Sequence, residues 1–152
     1  MTLILGKEYC KLDSNGRFKL PIALKKQLQT DDNRFVIRPS IYDECLELWS
    51  YSNFEAEIAR LRQELHPYSP ADRKLLRKLS DGNIIELDNS DRLVIPPEQK
   101  QVLKGTKDLV LQSIGELIEI WDSATYQSMN EQDADFVSLV SDRLCNVPPA
   151  TE

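Results

Sequence analysis

The sequence is poor in the residues from which catalytic and metal centres are built. It has one histidine, His66, and three cysteines, Cys10, Cys45 and Cys145. No CxxC pair or other metal-ligand spacing occurs, and three cysteines cannot all pair within one chain, which points to a reducing compartment. Nucleophile–base pairs and glycine-rich phosphate loops are also missing, so an enzyme is the least supported class and neither metal nor cofactor is expected. No apolar run approaches the roughly 20 residues that cross a bilayer, and "MTLILG" is too short for a signal-peptide core. The expectation is a soluble, cytoplasmic protein with no membrane partner.

What remains is an ordinary globular composition with uneven charge. Of 152 residues, 41% are apolar, enough for a core. The net charge of −6 argues against a polyanionic partner, but local fields matter more than totals. Residues 1–75 carry 12 Lys/Arg against 11 Asp/Glu, net +1, and residues 76–152 carry 7 against 14, net −7. Within 7–26 stand Lys7, Lys11, Arg17, Lys19, Lys25 and Lys26 against only Glu8 and Asp13.

The chain repeats itself. "LDSNGRFKLP" at 12–21 returns as "LDNSDRLVIP" at 87–96, an offset of 75 that also sets Lys25 on Lys100 and Leu28 on Leu103. "ECLELWSYSNF" and "ELIEIWDSATY" then align at an offset of 72, placing Trp49 on Trp121 and Phe54 on Tyr126. Two units of about 45 residues follow, each too small to bury a core alone. We read 5–54 and 82–126 as the units, 55–81 as a helical connection, 127–145 as a C-terminal helical segment and 146–152 as an unstructured tail. The two units are expected to form one domain.

Each unit predicts a strand, a turn, a short strand ended by Pro21 or Pro96, a short helix, and two further strands. Gly105 is expected to cap the second short helix. Ser52 with Glu55 predicts a capping box for the helix after Trp49, and Ser69 with Pro70 predicts the start of the next. Trp49 and Trp121 read as core or interface residues, and His66 as structural.

The Asn15-Gly16 pair suggests a two-residue hairpin, but that register mixes apolar and charged faces. A three-residue loop with Gly16 left-handed sets Leu12 opposite Phe18, Cys10 opposite Leu20, Lys11 opposite Lys19 and Asp13 opposite Arg17. The second copy follows the same register, with Asp88 opposite Arg92 and Asp91 in the left-handed position. Asp13, Gly16, Asp88 and Asp91 are therefore the turn-forming residues. Taken alone, Arg17 reads as a turn cation paired with Asp13; its repetition at Arg92 and the nearby lysines point instead to a binding surface. Lys7, Lys11 and Lys19 share its outward parity and are candidate phosphate contacts.

These motifs resemble the MraZ family of bacterial transcription regulators, whose chains carry two AbrB-like units marked by a D-x-x-G-R turn and an apolar strand ending in I-P or L-P. Here the counterparts are D-S-N-G-R…L-P at 13–21 and D-N-S-D-R…I-P-P at 88–97, with both E-L-W and E-I-W segments, so the resemblance spans roughly 5–145. It implies a mainly β fold with peripheral α-helices, a swapped-hairpin AbrB-like β-barrel made from the two repeats, and assembly into a ring-like homo-oligomer. It also implies a nucleoid-associated regulator binding double-stranded DNA at tandem direct repeats upstream of the division and cell-wall gene cluster, including its own promoter. DNA contact then falls on Arg17 and Arg92. Because Val94 stands where Lys19 stands and Glu86 where Lys11 stands, Arg17 is expected to matter more. The rival reading is a protein-interaction or antitoxin-like module.

Overall fold

Strands such as "KEYCK" and "RFK" alternate and leave one face for burial, whereas "FVI" and "LELW" are apolar almost throughout and need cover on both faces. The structure, a computed structural model, describes residues 2–28, 31–131 and 135–144. The first repeat contains β1 (Lys7–Lys11), β2 (Arg17–Lys19), α1 (Ile22–Leu28), β3 (Arg34–Pro39), β4 (Leu46–Ser50) and α2 (Tyr51–Glu64), and α3 (Pro70–Leu79) follows. The second contains β5 (Asn83–Glu86), β6 (Arg92–Val94), α4 (Pro97–Lys100) running into a 3-10 turn at Gln101–Leu103, β7 (Asp108–Ser113), β8 (Ile118–Asp122) and α5 (Ser123–Glu131), and α6 (Phe136–Arg143) comes last. Among the described residues helix exceeds strand, 40% against 29%, but the antiparallel sheets form the framework.

Six strands pair antiparallel in the order β1-β7-β8-β4-β3-β5, and β2 pairs with β6 in a separate ribbon. The fourth strand of each repeat meets its counterpart at the centre, and each repeat's first strand joins the other repeat's third: β1 on β7, β5 on β3. One core lies between the sheet and the ribbon. Phe18, Leu20, Leu93 and Ile95 from the ribbon side meet Ile37, Leu46, Leu48, Leu109, Leu111 and Ile120 from the sheet, with Leu24 and Leu103 filling in from the helical segments. Each such side chain contributes about 1.5–3 kcal/mol by leaving water. On the sheet's other face Trp49 packs edge-to-face on Phe54 of α2, centroids 5.6 Å apart, and Trp121 packs on Tyr126 of α5 at 5.8 Å. That double cover explains why all five residues of β4 are buried.

The expected hairpin holds only next to its turn, where Asp13 lies opposite Arg17, its amide donating to the Arg17 carbonyl. Leu12 bridges Phe18, but Cys10 then faces Leu109 and Lys11 faces Asp108, while Lys19 faces Arg92. Alternation fixes which face of a strand is buried, and it is satisfied equally by a partner from the other repeat. The cap of α2 is Ser50 and not Ser52. Its hydroxyl accepts the Asn53 amide at 3.2 Å, because the extended backbone of β4 runs directly into the helix. Ser69 caps α3 as expected, accepting the Asp72 amide at 3.4 Å. Past the 3-10 turn, Lys104 and Gly105 are both left-handed, φ 57° and 71°, so the stop is shared. The predicted tail and Cys145 lie outside the described residues.

Candidate nucleic-acid interface

Each repeat builds its turn around one aspartate. The Asp13 Oδ1 accepts the amides of Asn15 at 2.8 Å and Arg17 at 2.9 Å, and the Asp13 amide donates to the Arg17 carbonyl at 2.8 Å. Asp88 repeats the pattern with Ser90 at 2.8 Å and Arg92 at 2.9 Å, its own amide donating to the Arg92 carbonyl at 3.0 Å. Hydrogen bonds to a carboxylate favour its charged form. The Arg17 and Arg92 amides accordingly hold Asp13 and Asp88, respectively, below the usual carboxylate range. The sequence pairs acid with arginine correctly, but the acid binds the arginine's backbone. Among the described residues neither guanidinium has a hydrogen-bonded or ion-paired carboxylate.

Both turns then lock the ribbon. Gly16 and Asp91 occupy the left-handed position, φ 77° and 61°, as the loop register predicts. Their carbonyls point across to the other repeat: Ile95 donates to Gly16 O and Leu20 to Asp91 O, each at 2.8 Å. Between these clamps β2 and β6 pair as Arg17 with Val94, Phe18 with Leu93 and Lys19 with Arg92. Phe18 and Leu93 are buried in the core, so Arg17, Lys19, Arg92 and Val94 form the opposite, exposed face. Lys19 directly opposite Arg92 is an unfavourable like-charge pair.

This pairing corrects the neighbourhoods read from the sequence. Lys19 belongs beside Arg92, and Val94 beside Arg17, because the strands are exchanged between repeats. The two remaining candidates lie elsewhere. On β1, Lys11 pairs with Asp108 at 3.0 Å, and the Lys7 ammonium lies 5.6 Å from the Tyr126 ring centroid. Three of the five proposed cations thus meet on one face and two do not.

Two further lysines, aligned with each other by the repeat, reach the turns: Lys25, a weaker candidate in the sequence, and Lys100, which the sequence did not single out. Lys25 of α1 pairs with Asp91 at 2.6 Å. Lys100 of α4 lies over Gly16, where an added Cβ would stand 3.1 Å from its Nζ. The described cysteines offer no reactive thiol, since burial pushes Cys10 and Cys45 up to about 12.

The two repeats thus build a duplicated antiparallel scaffold that presents a cationic ribbon. The family model described as "MraZ protein, putative antitoxin-like" matches the chain twice, over residues 3–78 and 79–144, and the chain belongs to the MraZ family. It is similar to the transcriptional regulator MraZ of Flavobacterium psychrophilum, with 33% identity over 150 residues covering 97% of this chain and 95% of the relative. Its counterpart in Christiangramia forsetii is 30% identical over 149 residues, covering 96% of each chain. That of Treponema pallidum is 31% identical over 129 residues, covering 82% and 83%. The protein is a transcriptional regulator and not an enzyme. None of its described helices is long and apolar enough to cross a membrane.

Proposed function

We propose that this regulator binds double-stranded DNA, sequence-specifically, through the outer face of the β2–β6 ribbon. The observation that carries the reading is the exposed trio Arg17, Lys19 and Arg92, two of them directly opposed and none ion-paired with a turn aspartate among the described residues. A polyanion relieves that repulsion. A two-stranded ribbon fits the major groove, about 12 Å wide, where arginine recognises guanine through O6 and N7. Lysines are suited to phosphates. Lys7 and Lys11 lie on β1, away from the ribbon face, and are second-tier phosphate contacts, Lys11 exchanging Asp108 for the backbone.

Three ribbon cations correspond to a salt slope of only about −2.7 per chain at roughly −0.9 per phosphate. Useful affinity therefore calls for several linked chains on tandem sites. In our reading a ring-like homo-oligomer sits on direct repeats upstream of the division and cell-wall gene cluster, including its own promoter, and is nucleoid-associated in the cytoplasm. Within each chain, units 5–54 and 82–126 act as one domain whose sheets close as a swapped-hairpin barrel. The exposed apolar residues Val137 of α6 and Leu144 just past its end, at 75% each, support a self-association surface.

Gel shift with the DNA upstream of the coding region tests the proposal. Wild type should give a discrete, salt-sensitive shift that a scrambled duplex does not, and Arg17→Ala with Arg92→Ala should abolish it. A wild-type protein that treats both duplexes alike would overturn sequence-specific binding.

A further inference from the structure

The two lysines beside the turns occupy equivalent places in the repeat but differ in electrostatic state. Lys25 reaches the second turn from α1 and is neutralised by Asp91 at 2.6 Å. Lys100 reaches the first turn from α4, where Gly16 has no side chain, and lies half-buried with its stem and ammonium across the glycine. No ion pair holds it among the described residues. Its position is next to Arg17, at the ribbon end where Val94 leaves the exposed face short of charge.

We propose that Lys100 is a further DNA-contacting residue, acting with Arg17 as Lys19 acts with Arg92, and that Asp91 holds Lys25 out of the interface. The inference rests on the DNA-binding reading above and goes beyond it in assigning a contact from the second repeat's helix and a silencing role to the residue that replaces the motif glycine. Each ribbon end then presents one arginine and one available lysine. The asymmetry of the sequence produces a balanced surface: Gly16 gives Lys100 room, and Asp91 prevents Lys25 from adding a third cation at the end that already has Lys19.

The test is an anisotropy titration of full-length protein with a duplex from upstream of its coding region, repeated across salt concentrations. Lys100→Gln, which keeps an uncharged stem over Gly16, should reduce the salt slope by about 0.9 per chain engaged, and Lys100→Arg should restore it. Lys25→Gln should leave the slope unchanged in the wild-type background. Asp91→Gly should raise the slope by the same amount, and adding Lys25→Gln to Asp91→Gly should cancel the gain. Matching circular dichroism spectra and melting curves establish that each variant is folded. If combining Arg17→Ala with Arg92→Ala abolishes binding while Lys100→Gln and Asp91→Gly keep the wild-type slope, the roles given to the two lysines are wrong and the DNA-binding reading survives. If wild type does not bind the duplex, both fall.

Discussion

At one end of the ribbon a glycine lies under a lysine from the far repeat; at the other an aspartate grips the equivalent lysine at 2.6 Å. The turn frames are otherwise alike, down to the aspartate that accepts two amides in each. Duplication has kept the hydrogen bonds that shape the turn and let the charges around it diverge. Neighbours in space are also not neighbours in sequence. Val94 accompanies Arg17 and Lys19 accompanies Arg92, so the expectation that Arg17 dominates gives way to one of two comparable ends.

The largest effect should separate the two copies in stability rather than binding. In the first repeat Arg38 pairs with Glu47 at 2.9 Å, donates to the Leu79 carbonyl and lies 5.4 Å from the Trp49 ring centroid. In the second, Gln112 stands across from Glu119 and accepts the Tyr126 hydroxyl at 2.8 Å. Glu47 and Glu119 face each other across β4 and β8. Arg38→Ala leaves a buried carboxylate unpaired and should cost about 3–5 kcal/mol in denaturant melts, whereas Gln112→Ala should cost about 1 kcal/mol. Similar losses would mean that the copies are equivalent despite the arginine.

Next come the ribbon arginines. Arg17→Ala and Arg92→Ala should each lose about 1–3 kcal/mol of discrimination per engaged chain, by similar amounts, with melting curves unchanged. A wild-type-like Arg92→Ala would restore the unequal ends expected from the sequence. At the turn, Gly16→Ala places a side chain at φ 77° and should destabilise by about 1–2 kcal/mol; an unchanged melting temperature would show that the strain is absorbed. Gly16→Asp copies the other end and should pair with Lys100, lowering the salt slope without abolishing binding.

The smallest effect concerns pH. Burial raises Glu119 above the usual carboxylate range, with Trp121 opposing the shift through its 3.0 Å hydrogen bond. A folded-state value above the unfolded one means that the native state takes up its proton first. Stability is therefore lost as pH rises through the raised value. Glu119→Gln should be more stable than wild type at neutral pH, and the advantage should shrink as pH falls toward the unfolded value. A pH-independent difference would show that the effect is not electrostatic.

Much of this was readable in the residues. The offset repeat, the left-handed positions at Gly16 and Asp91, the inward Phe18 and Leu93 and the paired tryptophan corners all follow from spacing and alternation. Strand partners did not, because an inward-facing Phe18 is satisfied by Cys10's strand or by Leu93's. Lys100 was overlooked for the same reason: the alignment showed it equivalent to Lys25, but only the exchanged packing brings it over Gly16. The role of Asp13 was half legible, since opposition across a turn does not distinguish a bond to the arginine's amide from one to its guanidinium.

The clamps from Ile95 to Gly16 and from Leu20 to Asp91 give the chain a temporal property. While it is being made, β2 emerges long before β6, and its edge has no partner until Arg92–Val94 has left the ribosome. The cationic surface therefore comes into being only when the second repeat arrives. A fragment cut short in the first repeat carries Arg17 and Lys19 but lacks the strand that pairs with β2 in the ribbon.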